Sequence, residues 1–366
     1  MKILHIAPFN TAGVPIELVL AERCLGHYSR LVTLSRDWRG YPEDICLELP
    51  WIDSPLLRFA KRFVSDKRVL QKKNVRETPE QIPRVWKPRG WPEQKLVAFR
   101  DWLWEREIQP FVKKHRLLDF DIYQLDGGLG FLRSGKIIRQ LKRMGKKIVC
   151  CYLGSDLRLR GVISAIDEIS DLNLTTEFDL QKLHPHIHHI FFPFDARRFQ
   201  VRTTENKVLR ICHSPTDRQA KGSEQIIAVV KQLEKRYPIR LVLIENVPHA
   251  KALDIKAKCD IMIDQLGELG YGISSLEALA MGIPTLTALT PEYERYIPDH
   301  PFITANAGNL KQRLIQVVTD REYRRRKGIE GREWVEKYHD SRSVVAGILK
   351  IYREKGWMDE EGRFTG

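Results

Sequence analysis

Short apolar runs alternate with amphipathic segments along this chain. Few polar residues interrupt the runs, which is typical of strands buried on both faces of a parallel sheet. In the first half, the runs lie at residues 2–9, 29–34, 120–126, 146–153, 172–176 and 188–194. In the second half, they lie at residues 207–214, 239–246, 259–266 and 283–289. Helical patterns fill the intervals, so we predict an α/β fold with two doubly wound, Rossmann-like parallel-sheet domains.

A polar, aperiodic segment at residues 195–206 separates the two halves. We predict an N-terminal domain over residues 1–200 and a C-terminal domain over residues 201–345. Residues 346–366 follow a break in the helical pattern and are predicted to form a separate C-terminal helix. Two doubly wound domains are expected to face a cleft, which is where such folds bind ligands.

Charge is distributed unevenly along the chain. The 366 residues carry a formal net charge of +14, and residues 58–116 contribute +10 of it, with 17 Lys or Arg against 7 Asp or Glu. This basic segment, at about 55–116, contains four tryptophans, ends in a predicted amphipathic helix and interrupts the first domain. Three interpretations stay open: an insert packed on its own domain, contact with an anionic membrane surface, or binding of single-stranded nucleic acid.

The most informative motif is DQLGELGYGISSLEALAMGIPT, residues 264–285. An apolar strand leads into a loop that contains Gly270 and Gly272, and Ser274 and Ser275 then open a helix. Unpaired backbone N–H groups and the positive end of the helix dipole meet at such a point. The motif therefore predicts a phosphate-binding loop.

A second candidate anion site is HSPTDRQAKGS, residues 213–223, at the end of another predicted strand. Arg218 and Lys221 lie just before the amphipathic helix predicted over residues 222–237. Two cations beside a helix N-terminus suit a diphosphate.

Glu277 in the first motif has two interpretations. Ser274-x-x-Glu277 matches a capping box, in which the glutamate reaches back to the backbone of the serine. Alternatively, the carboxylate accepts hydrogen bonds from ribose hydroxyls. The sequence leaves both open.

Together, these residues resemble a known family. A strand, a Lys-Gly turn and a helix, followed by D-Q-x4-G-Y-G-x4-E-A-x-A-x-G-x-P, are similar to the donor half of retaining family 4 glycosyltransferases, which have the GT-B fold. The opening stretch ILHIAPFNTAGVP, GSDLRLRG at 154–161 and FPFDARRF at 192–199 also match. The resemblance implies a C-terminal helix that crosses back to the first domain. It also implies transfer of a sugar from a UDP-sugar or GDP-sugar to a hydroxyl group of a glycan or lipid-linked acceptor.

The resemblance implies roles for residues at matching positions. Lys221 would bind the donor diphosphate with Arg218 as a second cation, and Glu277 would hold the donor ribose. The other implied positions are Gly272, Ile273, Ser274 and Ser275 for amides that cap the phosphates, Asn246 and Val247 for the nucleobase, and Gly13 for a loop that lines the cleft.

The chain departs from the family at two positions. Leu269 stands where the family has a first glutamate, eight residues before Glu277, and Glu268 is the neighbouring candidate to replace it. Leu153 stands where many relatives carry a histidine. Asp156 and Arg158 therefore remain as the candidate residues of the cleft in this segment. The alternative for that pair is an Asx turn with a solvated arginine. The candidate catalytic residues are Lys221, Glu268 and Asp156.

Two other motifs are too incomplete to predict nucleotide hydrolysis or metal binding. Residues 130–137 nearly match a P-loop but lack its Ser or Thr, and the four histidines at 184–189 have no partners at a ligand spacing. We expect no metal and no further cofactor, because the cations would stabilise the departing diphosphate. Two alternative functions stay open: a GT-B nucleotide-sugar epimerase and a basic nucleic-acid-binding protein. For a sugar transferase, we expect no nucleic-acid partner.

The remaining expectation concerns the compartment. The N-terminal apolar run continues as a strand rather than forming a signal peptide, and the six cysteines contain no C-x-x-C pair. We therefore expect a cytoplasmic protein with reduced thiols that can associate peripherally with the inner face of the membrane.

Overall fold

A computed structural model describes residues 1–50, 52, 82–267, 270–297 and 299–366. Its internal contacts divide the chain into two units. The first unit comprises Met1–Asp37, Pro42–Ile190 and Val345–Gly366, and the second comprises Trp38–Tyr41 and Phe191–Val344.

The first unit is built on a seven-stranded parallel sheet in the order β3-β2-β1-β4-β5-β6-β7. Its strands are β1 Lys2–Ala7, β2 Tyr28–Thr33, β3 Ile45–Cys46, β4 Ile122–Asp126, β5 Lys147–Tyr152, β6 Leu172–Thr175 and β7 His188–His189. Its helices are α1 Val14–Cys24, α2 Trp91–His115, α3 Lys136–Arg143 and α4 Ser164–Asp167. The chain reverses its direction across the sheet between β1 and β4, so the doubly wound prediction is confirmed for this unit.

Strand β7 is shorter than the apolar run that predicts it. The run covers residues 188–194, but only His188 and His189 pair with β6. β7 lies at the edge of the sheet, and Pro193 in the run has no N–H to donate to a ladder.

Helix α2 shows how the end of the basic segment is accommodated. Its Trp104, Ile108 and Val112 are buried in the core of the first unit, and Trp104 Nε1 donates to the carbonyl of Pro50 at 3.0 Å. This helix packs on its own domain, as one of the three interpretations expects. Residues 53–81, which carry much of the basic excess, lie outside the described residues.

The second unit has a five-stranded parallel sheet in the order β12-β11-β10-β8-β9. Its strands are β8 Leu209–His213, β9 Ile239–Leu243, β10 Ile261–Ile263, β11 Thr285–Thr287 and β12 Ile303–Thr304. Its helices are α5 Arg218–Lys221, α6 Ser223–Glu234, α7 His249–Lys256, α8 Ile273–Ala280, α9 Pro291–Tyr296, α10 Leu310–Thr319 and α11 Arg321–Tyr338. The last helix, α12 Ser341–Glu354, enters the first unit at Val345.

The described residues were also compared with two requirements: those of a membrane-spanning helix and those of a disulfide. None of their helices combines the length and the apolar character needed to cross a bilayer. All six cysteines carry free thiols.

Candidate functional site

The carboxyl ends of β8 and β10 define the candidate site in the second unit. β9 lies on one side of β8 and β10 on the other, so the chain reverses direction here, and such a switch point is where open α/β sheets bind ligands. Buried His213 at the end of β8 connects the two strands. Its Nδ1 donates to the carbonyl of Ile263 at 2.8 Å, and its Nε2 lies 2.7 Å from the Ser223 hydroxyl.

Lys221 and Asp264 meet at this point. Lys221, the last residue of α5, forms an ion pair with Asp264, which directly follows β10 and accepts a second hydrogen bond from the Ser275 hydroxyl at 2.7 Å. Burial raises the pKa of the Asp264 carboxyl, but the Lys221 charge and these hydrogen bonds outweigh it and hold the pKa below its usual value. Asp264 is therefore ionised and orients the cation predicted to bind diphosphate.

The loop before α8 requires glycine at residue 270. Gly270 has φ +86°, and an added Cβ would lie 2.3 Å from the Tyr293 ring. Its neighbour Tyr271 is buried and stacks on the Tyr293 ring, with the ring centroids 5.6 Å apart. The loop is thus anchored by a buried aromatic ring.

The start of α8 differs from the sequence prediction. The N-cap residue is Gly272, not Ser274, and no side chain caps the helix. The Ser275 amide donates to the Gly272 carbonyl at 2.9 Å, so it is not available to a phosphate. The amides of Gly272, Ile273 and Ser274 have no acceptor in the described part of the chain, which leaves three donors at the positive end of the helix.

The capping-box interpretation of Glu277 is wrong. Its carboxylate is buried and turns to α7, where Lys256 Nζ lies at 2.5 Å and His249 Nε2 at 2.6 Å. Lys256 also donates to the Ser274 hydroxyl at 2.9 Å, which explains why Ser274 does not cap. Burial raises the pKa of Glu277, but Lys256 and His249 lower it below its usual value, so the carboxyl is ionised.

The remaining predicted donor residues lie on neighbouring loops. Arg218 is half exposed and forms a two-pronged ion pair with Glu245, with N–O distances of 2.8 and 2.7 Å. Asn246 is exposed with φ +53°, and Val247 packs partly on the core. Glu268 and Leu269 lie outside the described residues.

Two predicted residues belong to the first unit. Gly13 is buried with φ +74° and is the N-cap of α1, in the loop after β1. The Asp156 carboxylate accepts from the backbone amides of Leu153, Gly154 and Leu157 at 2.8–2.9 Å, which is a turn-stabilising arrangement.

Arg158, the other candidate in that segment, is not solvated. Its side chain is 18% exposed and binds Glu177 at 2.9 Å and Asp179 at 2.6 Å. Both of its charged partners follow β6, so the arginine connects the loops after β5 and β6.

Among the described residues, side chains that could hold a metal ion do not cluster. The described residues contain no group of three or more His, Cys, Asp or Glu with suitable geometry. Buried His184, one of the four clustered histidines, instead lies 3.2 Å from the Asp167 carboxylate.

Sequence analysis missed three residues of this site. Asp264 had a usable signal, because an acidic residue ends an otherwise apolar strand at the carboxyl edge of the sheet. Lys256 and His249 had none, since they contact Glu277 from 21 and 28 residues away.

Comparisons with solved structures identify the fold. Sucrose-phosphate synthase from Thermosynechococcus elongatus superposes with a TM-score of 0.61 at 14% identity, covering 97% of this chain and 99% of that one. HepE from Anabaena in complex with UDP-glucose gives 0.56 at 10% identity, covering 97% and 100%. A UDP-N-acetylglucosamine 2-epimerase gives 0.54 at 11% identity, covering 100% and 99%.

These likenesses, with the two parallel sheets, confirm the predicted GT-B fold. No protein-family model matches the sequence, and a comparison with curated proteins gives no match.

Proposed function

We propose that this protein is a sugar transferase that uses a nucleoside-diphosphate sugar and binds the donor diphosphate in its second unit. One observation carries the proposal. Lys221, held by buried Asp264, and the three unpaired amides of Gly272–Ser274 follow the two strands at the switch point of one sheet. A cation and a helix N-terminus at such a point suit a diphosphate.

The same groups support the chemistry of transfer. The bond from the sugar C1 to the diphosphate oxygen breaks, and C1 bonds to the acceptor hydroxyl oxygen. The hydroxyl proton passes to the departing phosphate. Lys221 and the α8 amides stabilise the negative charge that develops on that phosphate, and Arg218 lies one helical turn before Lys221. The resemblance to family 4 favours attack from the front face and retention of configuration, with Asp156 and Glu268 as the candidate acidic residues.

The donor we favour is a UDP-sugar, with a GDP-sugar as the second choice. HepE, with the same fold over nearly its whole length, binds UDP-glucose. We propose that transfer requires no metal or other cofactor, because Lys221 and the amides supply the positive charge.

The acceptor we propose is a glycan or lipid-linked saccharide, used by a cytoplasmic enzyme at the inner face of the membrane. On α2, the side chains of Trp91, Phe99 and Trp102 are 69%, 51% and 52% exposed. Lys95 lies 5.0 Å from the Trp91 ring and Arg106 5.1 Å from the Trp102 ring. Aromatic and basic side chains on one helix suit the interface of an anionic bilayer.

A cavity of about 450 Å³ opens beside this helix and supports the placement of an acceptor there. Trp86 and Trp102 line it, together with Arg133, whose guanidinium lies 4.7 Å from the Trp86 ring.

Vesicle co-sedimentation tests the membrane contact. Replacing Trp91 and Trp102 with serine should abolish pelleting with anionic vesicles. Met144→Ser removes a comparably exposed apolar side chain (51%) elsewhere on the first unit and should pellet like the wild type. If the variant without Trp91 and Trp102 pellets as well as the wild type does, α2 is excluded as the membrane contact.

Thermal unfolding with UDP, GDP, ADP and TDP tests the donor site. A ligand at 100 times its Kd stabilises the folded state by about 2.7 kcal/mol, which raises Tm by roughly 5–10 °C for a unit of this size. The shift should fall to about half or less in Lys221→Ala and persist in full in Lys231→Ala, an exposed lysine on α6 paired with Glu234. Absence of a shift with all four nucleotides would contradict the proposal.

A second candidate function is nucleotide-sugar epimerisation. The epimerase likeness covers the whole chain, so the fold suits either reaction. Incubation with UDP-N-acetylglucosamine in D₂O separates the two. An epimerase exchanges the proton at the inverted carbon without any acceptor, whereas a transferase leaves it in place.

A further inference from the structure

We propose that His249 forms a hydrogen bond with the donor ribose, and that Glu277 and Lys256 are positioning residues that hold the His249 imidazole. The inference rests on the donor site proposed above and changes the role that the resemblance gives to Glu277. It is carried by the geometry of three side chains in the second unit.

Glu277 is already occupied on both oxygens. Oε2 binds Lys256 Nζ at 2.5 Å, and Oε1 binds His249 Nε2 at 2.6 Å. The side chains of Glu277 and Lys256 are 6% and 1% exposed, whereas that of His249 is 26% exposed. Of the three, His249 is the one that a ligand from solvent can reach.

The buried ion pair is hard to explain by stability. Desolvation of two opposite charges offsets much of their attraction, and an apolar pair of similar volume is often as stable. Lys256 also fixes the α8 end of this arrangement, since its Nζ donates to the Ser274 carbonyl at 3.1 Å. The pair thus connects α7 to the first turn of the helix that carries the phosphate-binding amides.

The contact with Glu277 sets the chemistry of the imidazole. An ionised carboxylate only accepts hydrogen bonds, so His249 Nε2 must carry a proton. In the neutral ring, Nδ1 is then an acceptor, and none of the described residues offers it a partner. A ribose hydroxyl can donate to that nitrogen.

The position of His249 matches a ribose rather than another part of the donor. It is the first residue of α7 and follows the Asn246–Val247 turn, where the nucleobase is expected. The ring of Tyr41 lies 4.4 Å from its imidazole, and its backbone N–H donates to the carbonyl of Arg39 at 2.9 Å. These contacts hold the imidazole between the expected base position and the phosphate-binding helix.

Binding of UDP and of 2′,3′-dideoxy-UDP, measured by calorimetry, tests the inference. The wild type should prefer UDP by about three- to tenfold, as expected for one hydrogen bond between neutral groups. His249→Phe keeps a ring beside Tyr41 but removes both nitrogens. It should bind the two nucleotides equally well. His249→Gln, which restores an amide, should recover part of the preference.

Two further variants complete the test. His300→Phe alters another half-buried histidine of the second unit and should keep the full preference. Glu277→Gln should weaken the preference without abolishing it. If His249→Phe retains the preference and Glu277→Gln loses it, Glu277 contacts the ribose directly and the inference is wrong. If the wild type binds neither UDP nor dideoxy-UDP, the donor site itself is refuted.

Discussion

Removing either partner of the Lys221–Asp264 ion pair should lower the free energy of unfolding, and by unequal amounts. The Lys221 side chain is 19% exposed and that of Asp264 is 2% exposed. Lys221→Met removes the ion-pair partner of a buried carboxylate, which keeps the Ser275 hydroxyl as a hydrogen-bond donor, so we expect the free energy of unfolding of the second unit to fall by about 3–5 kcal/mol. Asp264→Asn leaves a lysine that can turn to solvent, and we expect a loss of about 1–2 kcal/mol. The more exposed partner is therefore the more costly one to remove.

The cost of Lys221→Met should also depend on pH. In the wild type, the pKa of Asp264 is depressed, so its contribution to stability is present above the unfolded value of about 3.9 and is lost as the pH falls through the folded pKa. Without Lys221, burial raises the pKa of this carboxyl. Asp264 then takes up a proton as the pH falls from 7 towards 4, and the difference from the wild type shrinks.

Urea unfolding at pH 7 and pH 5 measures these losses of stability. Hydrogen–deuterium exchange of the β10 and β11 amides is the probe, because it reports on the second unit alone. A larger loss for Asp264→Asn than for Lys221→Met would refute the reasoning. So would a Lys221→Met loss that is equal at the two pH values.

Three further predictions concern the loop and the first unit. Gly270→Ala forces a Cβ to 2.3 Å from an aromatic ring and should lower Tm by several degrees and abolish UDP binding, whereas Gly272→Ala, with nothing within 4 Å of its Cβ, should keep the wild-type Tm. Trp104→Phe removes the hydrogen bond that a buried side chain donates to Pro50 and should lower the free energy of unfolding in urea by about 1–2 kcal/mol, while Trp102→Phe on the exposed face should lower it by less than about 0.5 kcal/mol. The pKa of His5 is raised to about 10, because two buried carboxylates outweigh the effect of burial. His5 therefore stabilises the fold fully below pH 6.5 and loses this contribution as the pH rises through 10. His5→Gln should be most destabilising at neutral pH and below.

The sequence predicts the two sheets because unbroken apolar runs such as residues 148–153 must be covered on both faces. Gly270 is predictable for a similar reason, since a glycine between a strand and a helix marks a tight loop. The orientation of Glu277 is not predictable. A local capping box with Ser274 has the right spacing, and only the packing of α7 against α8 brings Lys256 to the carboxylate instead.

Lys256 itself shows the limit of pattern reasoning. A lysine at the end of a helix is expected in solvent, where it complements the helix dipole. Its burial to 1% depends on a partner that is 21 residues away in sequence. Asp264 differs, because its place at the end of a buried strand marks it as a site residue in advance.

Sugar transfer as proposed requires Lys221 and the start of α8 to bind a diphosphate. Calorimetric titration of UDP and of uridine into the wild type, Lys221→Met and Lys231→Met measures this binding. We predict that Lys221→Met loses about tenfold or more of its affinity for UDP, since a hydrogen bond to a charged group is removed, and keeps its affinity for uridine. Lys231→Met should match the wild type for both ligands. Unchanged UDP binding by Lys221→Met, or an equal loss for uridine, would contradict the claim.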